Sequence, residues 1–284
     1  MQSVVITGVS TGIGYAAADA MLRNGYRVFG SVRKAEDGER VKAALGENFH
    51  PLEFDVTDTP AVHAAAQQVR EQLNGETLAG LVNNAGIAVN GPLLEVSEED
   101  YRYQLDVNVI GPFTATQAFA PLLGADSSLS GEPGRIVNIS SVAGLRAMPF
   151  IGPYAASKFA LEGYSESLRR ELMLYGIDVI VIGPGPVKTA IWDKAEEVDV
   201  SQYAESDYLS SLERFRNIFM AQGRDGYEAD RLGNLIHHAL TCDNPKVRYA
   251  AVKGRLVEKI AMRMAPARQF DKMIAKMLGL QSKR

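Results

Sequence analysis

Residues 3–25 constrain the fold more than any other stretch. An apolar run, residues 3–7, enters Thr7-Gly8-Val9-Ser10-Thr11-Gly12-Ile13-Gly14, and a helical pattern, YAAADAMLRNG, follows at once. Free N–H groups and the dipole at a helix start attract an anion, and glycine lets a phosphate approach the backbone. The glycines fall as G-x-x-x-G-x-G rather than G-x-G-x-x-G. Glycine also serves tight turns for steric reasons alone. Placed between strand and helix, this loop reads as a dinucleotide site built from Gly8, Ser10, Thr11, Gly12, Ile13 and Gly14.

The same alternation recurs along the chain. Strand patterns at 26–32, 50–54, 78–82, 135–141, 177–182 and 246–251 alternate with helical ones. Such alternation predicts an α/β fold: a doubly wound, seven-stranded parallel sheet with helices on both faces. No linker or repeat divides residues 1–284, so one domain is expected. Loops at the C-terminal strand ends then line a common crevice. Asn84, Ala85 and Gly86 fall at one such end, where small residues let a cofactor pass close to the backbone. Asn84 has a second reading, as a structural amide between neighbouring strands. Pro184, Gly185, Val187 and Thr189 fall at another, and the Thr189 hydroxyl suits a carboxamide.

Arg33 lies 19 residues past Gly14, just after the second strand. An acid there reads a ribose 2′-OH, and an arginine accommodates a 2′-phosphate. Positions 31–33 hold Ser, Val and Arg. NADP(H) is therefore expected over NAD(H), with Arg33 on the 2′-phosphate and Ser10 and Lys34 assisting; a solvent-exposed arginine is the plain alternative. Asp55, followed by Val56, accepts from an adenine amino group or caps the helix beginning near Asp58. Ser97 with three acids after it starts a long helix over residues 97–124, and Asn108 with Gly111 predicts an irregularity inside it.

Tyr154 and Lys158 are four apart, and Ser141 lies 13 residues before the tyrosine. Pro153 suits a helix start, so tyrosine and lysine share one face, one turn apart. A free phenol has a pKa of about 10, and a nearby ammonium lowers it. Proton transfer at an alcohol oxygen is the chemistry this trio suits, with Ser141 holding the oxygen. A surface Tyr–Lys pair on an amphipathic helix is the bland alternative for Y-x-x-x-K alone.

Residues 190–226 mix Ile191, Trp192 and other large apolar residues with charges, and read as a substrate lid. The tail, 254–284, is amphipathic and could cover the core, a second subunit or a membrane surface. A net charge of −4 gives no case for nucleic acid, and four scattered histidines give none for a metal. Cys242 is the single cysteine, so no internal disulfide forms. A strand pattern directly after Met1 leaves no room for a signal peptide, and no apolar run is long enough to span a bilayer, so a cytoplasmic protein is expected.

Taken together, TGVSTGIG, Asp55-Val56, NNAG at 83–86, NVIG at 108–111, Ser141, YAASK at 154–158 and PGPVKT at 184–189 resemble the short-chain dehydrogenase/reductase family. The resemblance spans residues 7–189. It implies a tetrad of Asn108, Ser141, Tyr154 and Lys158. Tyr154 would be the general acid/base. Ser141 would hold the substrate oxygen. Lys158 would lower the phenol pKa and bind nicotinamide ribose. Asn108 would hold a relay water through its backbone, and Thr189 would contact the carboxamide. Arg33 after FGSV, the YAASKFALEGYSESLRREL run and NPKVRY at 244–249 resemble the 17β-hydroxysteroid and retinol dehydrogenase-like group. That likeness implies a hydrophobic secondary alcohol or ketone as substrate and a homodimer or homotetramer. A 3-oxoacyl thioester reductase and a non-catalytic NADP(H)-binding sensor are the alternatives.

Overall fold

The computed structural model describes residues 1–188, 200–253 and 266–281. Seven parallel strands form the main sheet. They are β1 (Ser3–Ile6), β2 (Arg27–Val32), β3 (Phe49–Glu53), β4 (Gly80–Asn83), β5 (Arg135–Ile139), β6 (Asp178–Pro184) and β9 (Arg248–Ala251). Their order is β3-β2-β1-β4-β5-β6-β9, so the winding reverses between β1 and β4. The loops leaving those two strands therefore flank the crevice where such sheets take ligands. Val4, Val5 and Ile6 are fully buried, as expected of a central strand covered on both faces.

One face carries α1 (Gly12–Arg23), α2 (Ala35–Leu45) and α8 (Ala229–Thr241), packed through Ala17, Met21, Val41, Leu232 and Ile236. Small residues let α1 and α8 approach closely: a Cβ on Gly233 would lie 2.3 Å from the Ala16 carbonyl oxygen. The other face carries α3 (Thr59–Gln72), α5 (Gly111–Phe119) and α6 (Gly152–Glu171) over Val62, Val69, Ala115 and Phe119. Two short strands, β7 (Val187–Lys188) and β8 (Tyr227–Glu228), pair separately, and the helix after β8 begins at Ala229.

The long helix expected over 97–124 is four pieces. Ser97 Oγ caps α4 (Glu98–Leu105), accepting from Asp100 N at 3.0 Å. A π-helical turn, Asp106–Ile110, follows, then α5 and a 3-10 turn, Ala120–Leu123. The irregularity falls on Asn108, as its sequence suggested. Gly111 has its own reason to be small, since a Cβ there would meet Val56 Cγ2 at 2.8 Å.

A third apolar cluster stands over the start of α6. It joins Ala143, Phe150, Ile151 and Ala155 to Tyr203, to Leu212 and Phe215 of α7 (Leu209–Arg224), and to Ile274 and Leu278 of α9 (Ala267–Leu278). One face of the tail helix thus packs on its own chain.

Candidate active site

The glycine loop is held by hydrogen bonds that leave little freedom. Thr7 Oγ1 accepts from Asn84 N and Ala85 N, both at 3.0 Å. Asn84 Nδ2 donates to the carbonyls of Thr7 and Gly8, each at 2.9 Å. Ser31 Oγ accepts from Gly8 N at 2.9 Å. The loops leaving β1, β2 and β4 are thereby one unit. A Cβ on Gly14 would sit 2.2 Å from the Gly8 oxygen and 2.4 Å from Asn84 Nδ2, so only glycine closes this turn. Gly8, at φ +71°, occupies the left-handed region that favours glycine. Thr11 at the head of α1 makes no side-chain cap, which leaves the first-turn N–H groups to a phosphate. These residues fit a nicotinamide dinucleotide.

Asn84 thus acts as the structural amide, joining the ends of the neighbouring strands β1 and β4. Within the sheet Asn83 Nδ2 donates to Asn138 Oδ1 at 2.8 Å across the β4–β5 register. For Asp55 the helix-capping alternative does not hold. Its carboxylate accepts from Thr57 N and Oγ1 at 2.9 and 2.8 Å in a local turn, whereas Asp58 caps α3 by accepting from Ala61 N. Arg33 and Lys34 are exposed directly after β2. A third cation joins them: Arg40 on α2 donates to the Ser10 carbonyl at 3.0 Å and pairs with Asp37. Its position, seven residues past Arg33, was the only signal for it in the sequence.

Four elements converge on Lys158, which is buried within α6. Its Nζ donates to the Ile139 carbonyl at the end of β5, 2.9 Å away. A Cβ on Gly86 would lie 3.8 Å from that Nζ and 3.2 Å from Asn108 Oδ1, so the loop after β4 passes against both. Asn108 Nδ2 donates to Ile87 O and to Ser157 Oγ, each at 3.0 Å, while its Oδ1 accepts from Ile87 N at 2.9 Å. Ser157 in turn donates to the Tyr154 carbonyl at 2.7 Å. Gln104, one turn before Asn108, holds Ile87 O and Val89 N. Ser157 and Gln104 were not singled out from sequence; a buried Gln on an otherwise polar helix carries no local mark.

Ser141 Oγ accepts from Ala143 N at 3.1 Å. It also hydrogen-bonds the Tyr154 phenol. The lysine ammonium stands over the same residue, with Nζ 5.7 Å from the Tyr154 ring centroid. Among protein groups the largest influence on Tyr154 is burial, which raises its pKa, and the Ser141 bond opposes it. The net direction is upward, opposite to the lowering expected from a nearby ammonium. Burial also holds Lys158 down to about 8, opposed by Glu162 one turn on. Glu162 is itself locked to β9, where Arg248 Nε and Nη2 contact both its oxygens at 3.0–3.3 Å.

Beyond β6, Gly185 N donates to Ala251 O at 2.8 Å and Pro184 closes the strand. Val187 is buried in β7, whose partner is β8. Thr189, Ile191 and Trp192 lie outside the described residues. The described part of the 190–226 stretch is strongly aromatic. Phe215 stacks on Phe219, with centroids 5.0 Å apart, and meets Phe150 edge-on at 5.7 Å. Phe150 holds φ +68°, a strained value for a side chain of its size, and its carbonyl accepts from Gly91 N.

Comparison with known proteins agrees with this arrangement. A family model described as short chain dehydrogenase matches residues 2–199. An NADPH-dependent 3-dehydrocapnine reductase from Ornithobacterium rhinotracheale is 38% identical over 276 residues, covering 97% of each chain. Human retinol dehydrogenase 16 is 33% identical over 265 residues, covering 87% of this chain and 80% of the relative. A short-chain dehydrogenase/reductase from Burkholderia phymatum, solved in complex with NAD, superposes with a TM-score of 0.79 at 24% identity, over 96% and 95% of the two chains.

Proposed function

Given that the chain belongs to the short-chain dehydrogenase family, we propose that this oxidoreductase interconverts an apolar secondary alcohol and its ketone with NADP(H). The observation that carries the reading is the convergence of Gly86, Asn108, Ser141, Tyr154 and Lys158 at the crevice flanked by the glycine loop. A bound nicotinamide supplies or accepts the hydride. Tyr154 moves the proton at the substrate oxygen, and Ser141 orients that oxygen through the hydroxyl it shares with the phenol. Lys158 brings positive charge beside the phenol and offers its remaining donors to the nicotinamide ribose. Asn108 spends its amide on Ile87 and Ser157. Its service is therefore to hold the π turn and to present main-chain groups to a proton relay. Thr189 is assigned to the carboxamide.

NADP(H) preference is supported by the cations Arg33, Lys34 and Arg40 around Ser10, with no acid at positions 31–33. The relative named as NADPH-dependent agrees. An apolar substrate is supported by the aromatic cluster of Phe150, Tyr208, Phe215 and Phe219, which includes Tyr154 itself. We read 190–226 as the lid over it. Ile110, Phe113 and Phe159 are 48%, 42% and 46% exposed on α6 and the helices beside it, which supports a homo-oligomer built on that face. The cytoplasm is the compartment assigned.

The test is a panel of long-chain and polycyclic ketones assayed by NADPH and NADH oxidation. Turnover of several apolar ketones, faster with NADPH, is expected. Preference for polar ketones or for NADH would overturn the respective half of the proposal.

A further inference from the structure

We propose that α9, the helix of the basic C-terminal sequence, docks this protein on an anionic lipid surface. Charge in the chain is sharply divided. Residues 254–284 carry eight Lys and Arg against two Asp and Glu, a net +6, so residues 1–253 carry −10 of a total −4. A basic tail on an acidic body points to a polyanionic partner.

The layout of α9 says which kind. At 100° per residue, Arg268, Lys272 and Lys276 form one row at i, i+4 spacing. Met273 and Met277 form the next row, and Phe270, Ile274 and Leu278 the one after. The last row faces the protein: Ile274 and Leu278 are buried in the lid cluster. The methionine row is 52% and 39% exposed. The cation row is exposed beside it. A strip of flexible apolar side chains flanked by long cationic ones suits the boundary of a bilayer, with methionines among acyl chains and lysines at phosphate level. Nucleic acid has no use for the methionine row. Among the described residues no helix is long and apolar enough to cross a membrane, so the contact is one of surface. Beneath the same helix a cleft of about 340 Å³ opens between Phe270, Ile274 and Leu280 and the loop of Arg146 and Pro149. This surface stands independently of the oxidoreductase reading.

Sedimentation with vesicles tests it. Full-length protein should pellet with phosphatidylcholine vesicles containing phosphatidylglycerol and stay in solution with pure phosphatidylcholine. Lys272→Gln/Lys276→Gln should weaken binding by roughly 30-fold, and Met273→Ser/Met277→Ser should also weaken it at unchanged circular dichroism. Raising the salt should release the wild type. Equal binding to both vesicle types, or wild-type binding by both variants, would overturn the proposal. So would tighter binding to duplex DNA than to the anionic vesicles. So would a dimer that the methionine variants break without any lipid binding.

Discussion

The two ends of the crevice are built by different physics. At the end proposed for the cofactor, Thr7, Ser31, Asn84 and Asn108 make directional bonds of 2.9–3.0 Å, and Gly8 and Gly14 are steric fits. At the end proposed for the substrate, Phe150, Phe215 and Phe219 meet through ring contacts, and Leu212, Ile274 and Leu278 pack with them. Hydrogen bonds specify atoms at fixed positions, while apolar packing specifies only volume and tolerates exchange. The first end should therefore respond to single-atom changes and the second to bulk.

The largest effect should come at the junction of the two ends. Tyr154→Phe removes one oxygen and is expected to lower kcat by about 10²–10⁴-fold while NADPH binding, read by fluorescence, stays near wild type. Loss of cofactor affinity with kcat intact would erase the division drawn here.

Next is the buried ammonium. Lys158 is held at about 8, below its unfolded value, so the unfolded chain binds more protons between those values. Stability contributed at this site must then rise with pH across that window. Relative to Lys158→Met, urea unfolding of the wild type should gain on the order of 2 kcal/mol from pH 8 to 10. A flat difference would mean that the ammonium is solvated.

At the outer edge of the cofactor end, Arg33→Ala should cost roughly 10- to 100-fold in NADPH affinity and little in NADH affinity. Equal losses would remove the 2′-phosphate assignment, and a further loss in Arg33→Ala/Arg40→Ala would bring Arg40 into the site. The smallest effect belongs to the substrate end. Phe219→Ala should raise KM for an apolar ketone about tenfold or less, with NADPH binding and kcat close to unchanged. A collapse of kcat would show that the lid positions the reacting atoms as well as enclosing them.

The same division decides what was legible in the sequence. The strand-loop-helix pattern at 3–25, the tyrosine–lysine pair and the irregularity at Asn108 were readable because each needs a particular residue at a particular spacing. The sheet followed from apolar runs such as Val4 to Ile6. What escaped was contact made at long range. Ser31 reaches Gly8 from the next strand, Gln104 holds a loop 15–17 residues away, and Ser157 bridges two members of the tetrad. None of these carries a local mark. Burial at Tyr154 was hidden for a related reason: one turn of helix fixes the spacing of Tyr154 and Lys158, but burial, a property of the whole fold, raises the phenol pKa. Phe150 was invisible because only tertiary packing justifies its backbone.

Transfer of label addresses the central claim most directly. Reduction of an apolar ketone with NADPH carrying deuterium at both C4 positions of the nicotinamide should place deuterium on the carbinol carbon of the product, with the hydroxyl proton drawn from solvent. Product labelled from deuterated water at that carbon, or unlabelled product formed at the wild-type rate, would contradict the account.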